Sequence, residues 1–231
     1  MTLAVQFAMA AEAEAFTSRR AFTRLPTKSP YDFQYFQDGD LIVAVAGAHP
    51  RFKVDSIGSV AAALLTHELV ERFSLSRLIN AGTGGGFAAR GGAIGDVYLG
   101  ADVTVFHDRR IQLAGFDKMG RGHFPVESDA GLAARHGLKL GIVSSGDSLD
   151  CTAEDMRHLL ELGASVKDME AASIAWVCER RGVPLVLVKA ITDLVDLPEA
   201  TASQFEKNYP GAVKNLAEAV EHVVAHYRDA K

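Results

Sequence analysis

The chain has 231 residues, 48% of them hydrophobic, enough to bury the core of an α/β domain. Its 24 basic and 29 acidic residues are interspersed and leave a net charge of −5, which gives no basic field for nucleic acid or an anionic membrane. No apolar run approaches the ~20 residues of a spanning helix, and Cys151 and Cys178 have no metal-type spacing, so they read as reduced thiols of a cytoplasmic protein.

Leu3–Ala10 reads as a short buried strand, with a helix starting in AEAEAF. The Ala-x-Ala here resembles a signal-peptide cleavage site. No Lys or Arg precedes it, and the apolar stretch is only about ten residues, so a retained first strand is expected. YDFQYFQDGDLIVAVAGA predicts a hairpin turning at Asp38-Gly39. VDSIGSVAAALLTHELVERF predicts a long amphipathic helix with Asp55 near its start, and RLINAGT a strand that runs out into the glycine cluster GTGGGF.

AIGDVYLGADVTVFHD carries strand character, as does LKLGIVSSGD, after which a helix begins at about Thr152. Strand ASVKDM leads into helix EAASIAWVCERRG, and Pro184 opens strand PLVLVKAIT. A last helix places Val213, Leu216, Val220, Val223 and Tyr227 on one face. No repeat or linker interrupts this order, so residues 1–231 are expected to form a single domain. Short apolar strands alternating with helices predict an α/β fold whose mixed, mainly parallel central sheet is flanked by helices.

Ligands of such sheets bind beyond the carboxyl ends of the strands. Met9 and Glu12 follow the first strand, Thr83, Gly84 and Gly85 the strand RLINAG, and Leu149 and Asp150 the strand LGIVSSGD. Met169 and Glu170 follow SVKD, and Thr192 and Asp193 follow LVLVKAI. Three carboxylates, Glu12, Glu170 and Asp193, therefore converge on one sheet edge. One alone would read as a helix cap; three together read as a site. AGTGGGF completes neither G-x-G-x-x-G nor a P-loop, so it marks close backbone approach or a tight turn. His107–Asp108 lacks a second histidine at ligand spacing, and no G-x-S-x-G supports a serine nucleophile. Asp193 itself either caps the next helix or holds a proton for chemistry.

In order along nearly the whole chain run AMAAEAEAF, INAGTGGGF, GDVYLGADVTVFHDRR, SSGDSLD, KDMEAASIAWV and VKAITDLVD. This series resembles the 5′-methylthioadenosine/S-adenosylhomocysteine nucleosidases of the purine nucleoside phosphorylase superfamily. HDRR, SGDSLD and TDLVD resemble the plant-type branch more than the usual bacterial enzymes. The resemblance implies a hydrolase that cuts the N-glycosidic bond of a 5′-thio-modified adenosine. In that assignment Glu12 is the base that activates water, and Asp193 the acid that protonates adenine N7. Glu170 holds the ribose hydroxyls, with Met169 packed on the sugar. Thr83, Gly84 and Gly85 form a strand-end loop beside base and ribose, while Leu149 and Asp150 present backbone groups to the adenine edge.

The chemistry is consistent with those roles, because an oxocarbenium-like transition state needs an acid for the leaving group and a base on the other side. Desolvation at the end of a buried strand can raise the pKa of Asp193, and Glu170 would complement positive charge on the sugar. Asp196 reads as a cap or structural partner. A homodimer is expected, with no cofactor and no metal. Two segments depart from the pattern. Residues 199–207, EATASQFEK, do not reproduce the aromatic lid of common bacterial members, leaving Phe205 unassigned. Arg109 and Arg110 either favour a charged 5′-substituent or form salt bridges, the latter being preferred. The rivals are a phosphorylase with Arg51 as an anion clamp, a nucleosidase for another 5′-modified purine nucleoside, and a non-catalytic nucleoside-binding or storage protein.

Overall fold

A computed structural model describes residues 2–229. The first half of the chain contains strands β1 (Thr2–Phe7), β2 (Thr23–Leu25), β3 (Gln34–Asp38), β4 (Leu41–Val45) and β5 (Leu75–Gly86), with helices α1 (Ala10–Thr17) and α2 (Ser59–Arg72). A 3-10 turn, Ala88–Arg90, precedes β6 (Val97–Phe106), α3 (Phe116–Arg121), β7 (Phe124–Pro125), α4 (Ala130–His136) and β8 (Lys139–Ser145). The remainder is α5 (Ala153–Glu161), β9 (Ala164–Asp168), α6 (Ala171–Arg181), β10 (Leu185–Leu194) and α7 (Thr201–Asp229). No described helix is long and apolar enough to cross a membrane.

All ten strands join one mixed sheet. The pairs β1–β4, β1–β5, β5–β10, β6–β8 and β8–β9 run parallel, while the β2–β3–β4 edge and the β6–β10, β6–β7 and β5–β9 pairs are antiparallel. Because β5 pairs with both β9 and β10, the path β5–β10–β6–β8–β9 returns to β5 and closes a small barrel, from which β1–β4–β3–β2 extends as a wing. Nothing in the strand pattern announces this closure. It depends on two pairings at the glycine end of β5, Gly85 with Lys167 and Gly86 with Val166.

Period-two alternation sends one set of strand side chains to each face. Leu3, Val5, Phe7, Leu41, Val43 and Val45 pack with Leu216, Val220, Val223 and Val224 of α7. Ala4, Ile42 and Ala44 pack on the other face with Leu65 and Leu69 of α2 and Ile174 and Cys178 of α6. Both faces are thus covered, which explains why the central strands read as continuous apolar runs.

Two expectations need correction. The glycine cluster is not a loop, since Thr83–Gly86 continue β5 as paired strand. Asp55 does not start α2; it forms an isolated bridge with Ala48, and the helix begins at Ser59, whose N–H donates to Asp147 Oδ1 at 2.7 Å. The last helix begins at Thr201 and runs through Pro210. Proline removes one helical hydrogen bond there, while Gln204 Nε2 donates to Glu199 O at 2.9 Å and Asn208 Nδ2 to Thr192 O at 2.9 Å, tying the first turns down.

Candidate active site

A cavity of about 210 Å³ opens where β1, β5, β9 and β10 end. Met9, Glu12, Thr83, Gly84, Gly85, Leu149, Met169, Glu170, Thr192 and Asp193 all line it. Asp150 does not: it is exposed beside the cavity, whereas its neighbours Ser148 and Leu149, though also exposed, border it.

Glycine at 85 has a steric reason. A Cβ there would lie 2.5 Å from Val195 Cγ1 and 2.7 Å from Asp193 Oδ2. The carboxyl of Asp193 occupies the space a side chain would fill. A bulge in β10 brings it there: Ile191 pairs with Gly84 and Asp193 with Gly85, so Thr192 is the extra residue. Bulges re-aim side chains in this way. The Thr192 hydroxyl then sits 2.8 Å from Asp193 Oδ1. Asp193 is only 2% exposed. Burial pushes its pKa up, against the pull of the Thr192 hydrogen bond and the charge of Lys167. It lies within β10 and caps no helix. Asp196 is the capping residue, its two oxygens accepting from Ala88 N and Ala89 N at 2.8 Å each.

Glu12 sits in the first turn of α1. Its Oε1 accepts from both the N–H and the hydroxyl of Thr83, each at 2.9 Å. Oε2 is buried with no hydrogen-bond partner among the described residues. Burial raises the Glu12 pKa, opposed by the Thr83 hydrogen bonds and by Lys189. Such a carboxylate has one oxygen fixed and one available to accept a proton.

Glu170 stands at the N-cap position of α6 without capping it, because Asp168 Oδ2 accepts from Ala171 N at 2.9 Å instead. Glu170 Oε1 is free to accept from Gly58 N at 2.9 Å. Burial and the neighbouring Asp168 push its pKa up to about 7.

Sequence reasoning missed the cations beneath these acids. Lys189 is fully buried and pairs with Asp168 at 2.7 Å. Desolvation opposes its charge, but Asp168 and Glu170 hold its pKa above the ordinary lysine value. It pairs in register with Gly82, and that position would have flagged it: a lysine inside LVLVKAI needs a buried partner. Lys167, also buried, donates to the carbonyls of Ser148 and Leu149, the latter at 3.2 Å.

Phe205 lines the cavity after all. It packs on Tyr209 with ring centroids 4.9 Å apart, and the Tyr209 hydroxyl lies 3.7 Å from Met9 Sδ. The signal was the i, i+4 spacing of Phe205 with Tyr209 and of Gln204 with Asn208: Phe205 lines the cavity, and the second pair bonds to β10. Arg110 forms the preferred salt bridges, to Asp155 at 2.6 Å and Glu154 at 3.6 Å. Arg109 instead lies over the Phe106 ring.

A mixed α/β sheet with buried acids gathered at its strand ends is the arrangement of a nucleoside phosphorylase-like protein. The sequence pattern of the phosphorylase superfamily matches residues 2–225. The chain is 42% identical over 166 residues to a 5′-methylthioadenosine nucleosidase of Arabidopsis thaliana, spanning 72% of this chain and 62% of that relative. It is 34% identical over 189 residues to a 5′-methylthioadenosine/S-adenosylhomocysteine nucleosidase of the same plant, spanning 82% of this chain and 74% of that one. The structure of the Arabidopsis thaliana 5′-methylthioadenosine nucleosidase in apo form superposes with a TM-score of 0.93 at 32% identity, over 97% of this chain and 95% of that one. The chain belongs to the phosphorylase superfamily and, within it, to the 5′-methylthioadenosine/S-adenosylhomocysteine nucleosidases of plant type.

Proposed function

We propose that the protein hydrolyses the N-glycosidic bond of 5′-methylthioadenosine, and of S-adenosylhomocysteine where the 5′-pocket admits it, releasing adenine. The observation that carries this reading is the pair of buried acids, Glu12 and Asp193, on one cavity, each with its pKa raised chiefly by burial. Glu12 takes a proton from water through its unpartnered Oε2, and the oxygen attacks the anomeric carbon. Asp193 gives its proton to adenine N7 as the C–N bond breaks. Glu170 binds the ribose hydroxyls and complements the positive charge that develops on the sugar.

Water is favoured over phosphate because, among the described residues, no arginine lines the cavity. Arg51, the sequence candidate for an anion clamp, lies over Phe52 outside it, 5.1 Å from the ring centroid. The test is adenine release from methylthioadenosine in phosphate-free buffer, with free methylthioribose as the second product. Strict dependence on phosphate, with a sugar 1-phosphate formed, would overturn the hydrolytic reading.

The protein also pairs as a homodimer in this proposal. Val60 at 72% exposure and Trp176 at 44% flank a shallow groove that also contains Phe106 and Arg109. Exposed apolar side chains gathered around a groove suit a self-complementary interface.

A further inference from the structure

Lys167 is a buried cation that the roles above leave unused. Its hydrogen bonds go to two carbonyls, Ser148 O and Leu149 O, rather than to a carboxylate. Burying an ammonium on such terms is unfavourable unless its charge serves a purpose. Its position suggests one. Gly85 pairs in register with Lys167 on β9 and with Asp193 on β10, so the three residues stand abreast on adjacent strands. In-register neighbours point to the same face of a sheet. Gly85 contributes no side chain, so nothing from the middle strand separates the two, and both line the cavity.

We infer that Lys167 is the counter-charge of the general acid: it sets the acidity of Asp193 and stabilises the carboxylate left when the proton departs. The inference rests on the proposed hydrolysis. In that step the electron pair of the C–N bond goes to adenine, the proton of Asp193 goes to N7, and the negative charge stays on Asp193. Among the described residues, Thr192 and Lys167 oppose the desolvation of Asp193, and both favour the ionised form. Around Lys167 itself stand Asp193, Asp168, Asp150, Cys151 and His107. Asp168 is already paired with Lys189 and Asp150 is exposed, so Asp193 is the buried carboxyl that Lys167 can serve. Two strand spacings set the backbones of the two residues about 10 Å apart, and both side chains line the same cavity. At that range, in a protein interior, a unit charge changes an acid's ionisation constant about tenfold.

Adenine release is measured against pH for the wild type, Lys167→Met and Lys167→Arg, with thermal melting as a check on folding. A wild type that releases no adenine defeats the hydrolase assignment and is read before any variant. Given an active wild type, the Met variant is expected to show a kcat about tenfold lower and an alkaline limb about one pH unit higher, because a weaker acid keeps its proton longer. The Arg variant is expected to keep the limb of the wild type. Lys167→Met in an Asp193→Asn background should change kcat less than twofold, since the lysine then has no acid to act on. A Met variant whose KM rises while its limb stays in place would assign Lys167 to holding the 148–149 loop alone and overturn the inference. An alkaline limb that moves upward in the Arg variant would overturn it too. If the Met variant does not fold, the Arg profile decides.

Discussion

Replacing Asp193 by Asn changes one group from a proton donor to an amide of the same shape. General acid catalysis is worth about 10²–10⁴-fold, or roughly 3–5 kcal/mol of barrier. The loss is expected in kcat with little change in KM, because the Asn amide still donates a hydrogen bond toward N7. Stability should move the other way. Asp193 is buried and its ionised form is disfavoured by desolvation, so a neutral Asn relieves that penalty at neutral pH, and its carbonyl oxygen keeps the Thr192 contact of 2.8 Å. Melting temperature should hold or rise.

Asp196→Asn is the matched control, and it should invert the pattern. Its carboxylate accepts two backbone N–H groups, one on each oxygen. An amide offers one acceptor, so one bond is lost and about 1–2 kcal/mol of stability with it, while turnover stays near normal. The two variants are compared by initial rates of adenine release and by thermal melting in one buffer. Turnover of Asp193→Asn within about fivefold of wild type would refute the assignment of Asp193 as the acid, because that is well below the range expected for general acid catalysis.

Gly85→Ala should be destabilised by roughly 1–3 kcal/mol and lose activity, since its Cβ meets Val195 at 2.5 Å and Asp193 at 2.7 Å. At Gly82 the nearest atom to an added Cβ is 3.5 Å away, so Gly82→Ala should melt no lower than the wild type. A Gly85→Ala protein with normal melting and turnover would refute the steric argument. For Glu170, the folded protein holds a proton up to about pH 7, whereas its ordinary value is 4.5. Between those values the native state binds the proton that the unfolded state releases, so this group lowers stability as pH rises, by at most about 1.4 kcal/mol per pH unit. Urea unfolding of Glu170→Gln at pH 5 and pH 7 should show a smaller loss across the interval than the wild type; an equal loss would contradict the raised pKa. Val60→Asp should shift the protein toward 24.7 kDa, the mass of one chain, in light scattering; a wild type already at that mass would exclude the dimer.

Local chemistry made much of this protein legible in its sequence. Strands buried on both faces must be apolar throughout, and the longer helices between them carry a 3.6-residue period, so the main elements and their order follow from side-chain pattern, whereas the short β2, α3, β7 and α4 did not. Carboxylates placed at strand ends identified Glu12, Glu170 and Asp193, and the cavity gathers all three. Long-range pairing was not legible. The barrel closes through Gly85 and Gly86 pairing with Lys167 and Val166 of β9, far along the chain, and a glycine cluster read locally suggests a loop. Asp193 faces the cavity because a bulge at Thr192 re-aims it, a register feature that no local spacing encodes. The lysines depended most on tertiary structure. Lys167 and Lys189 sit inside apolar strands, where sequence alone gives no partner for their charge; only the folded chain supplies Asp168 to one and the loop carbonyls to the other. Asp150 shows the converse, since a residue beside the cavity in sequence can still be turned to solvent by the loop that carries it. Side-chain chemistry is a local property, whereas desolvation and charge pairing are set by whatever the fold brings alongside.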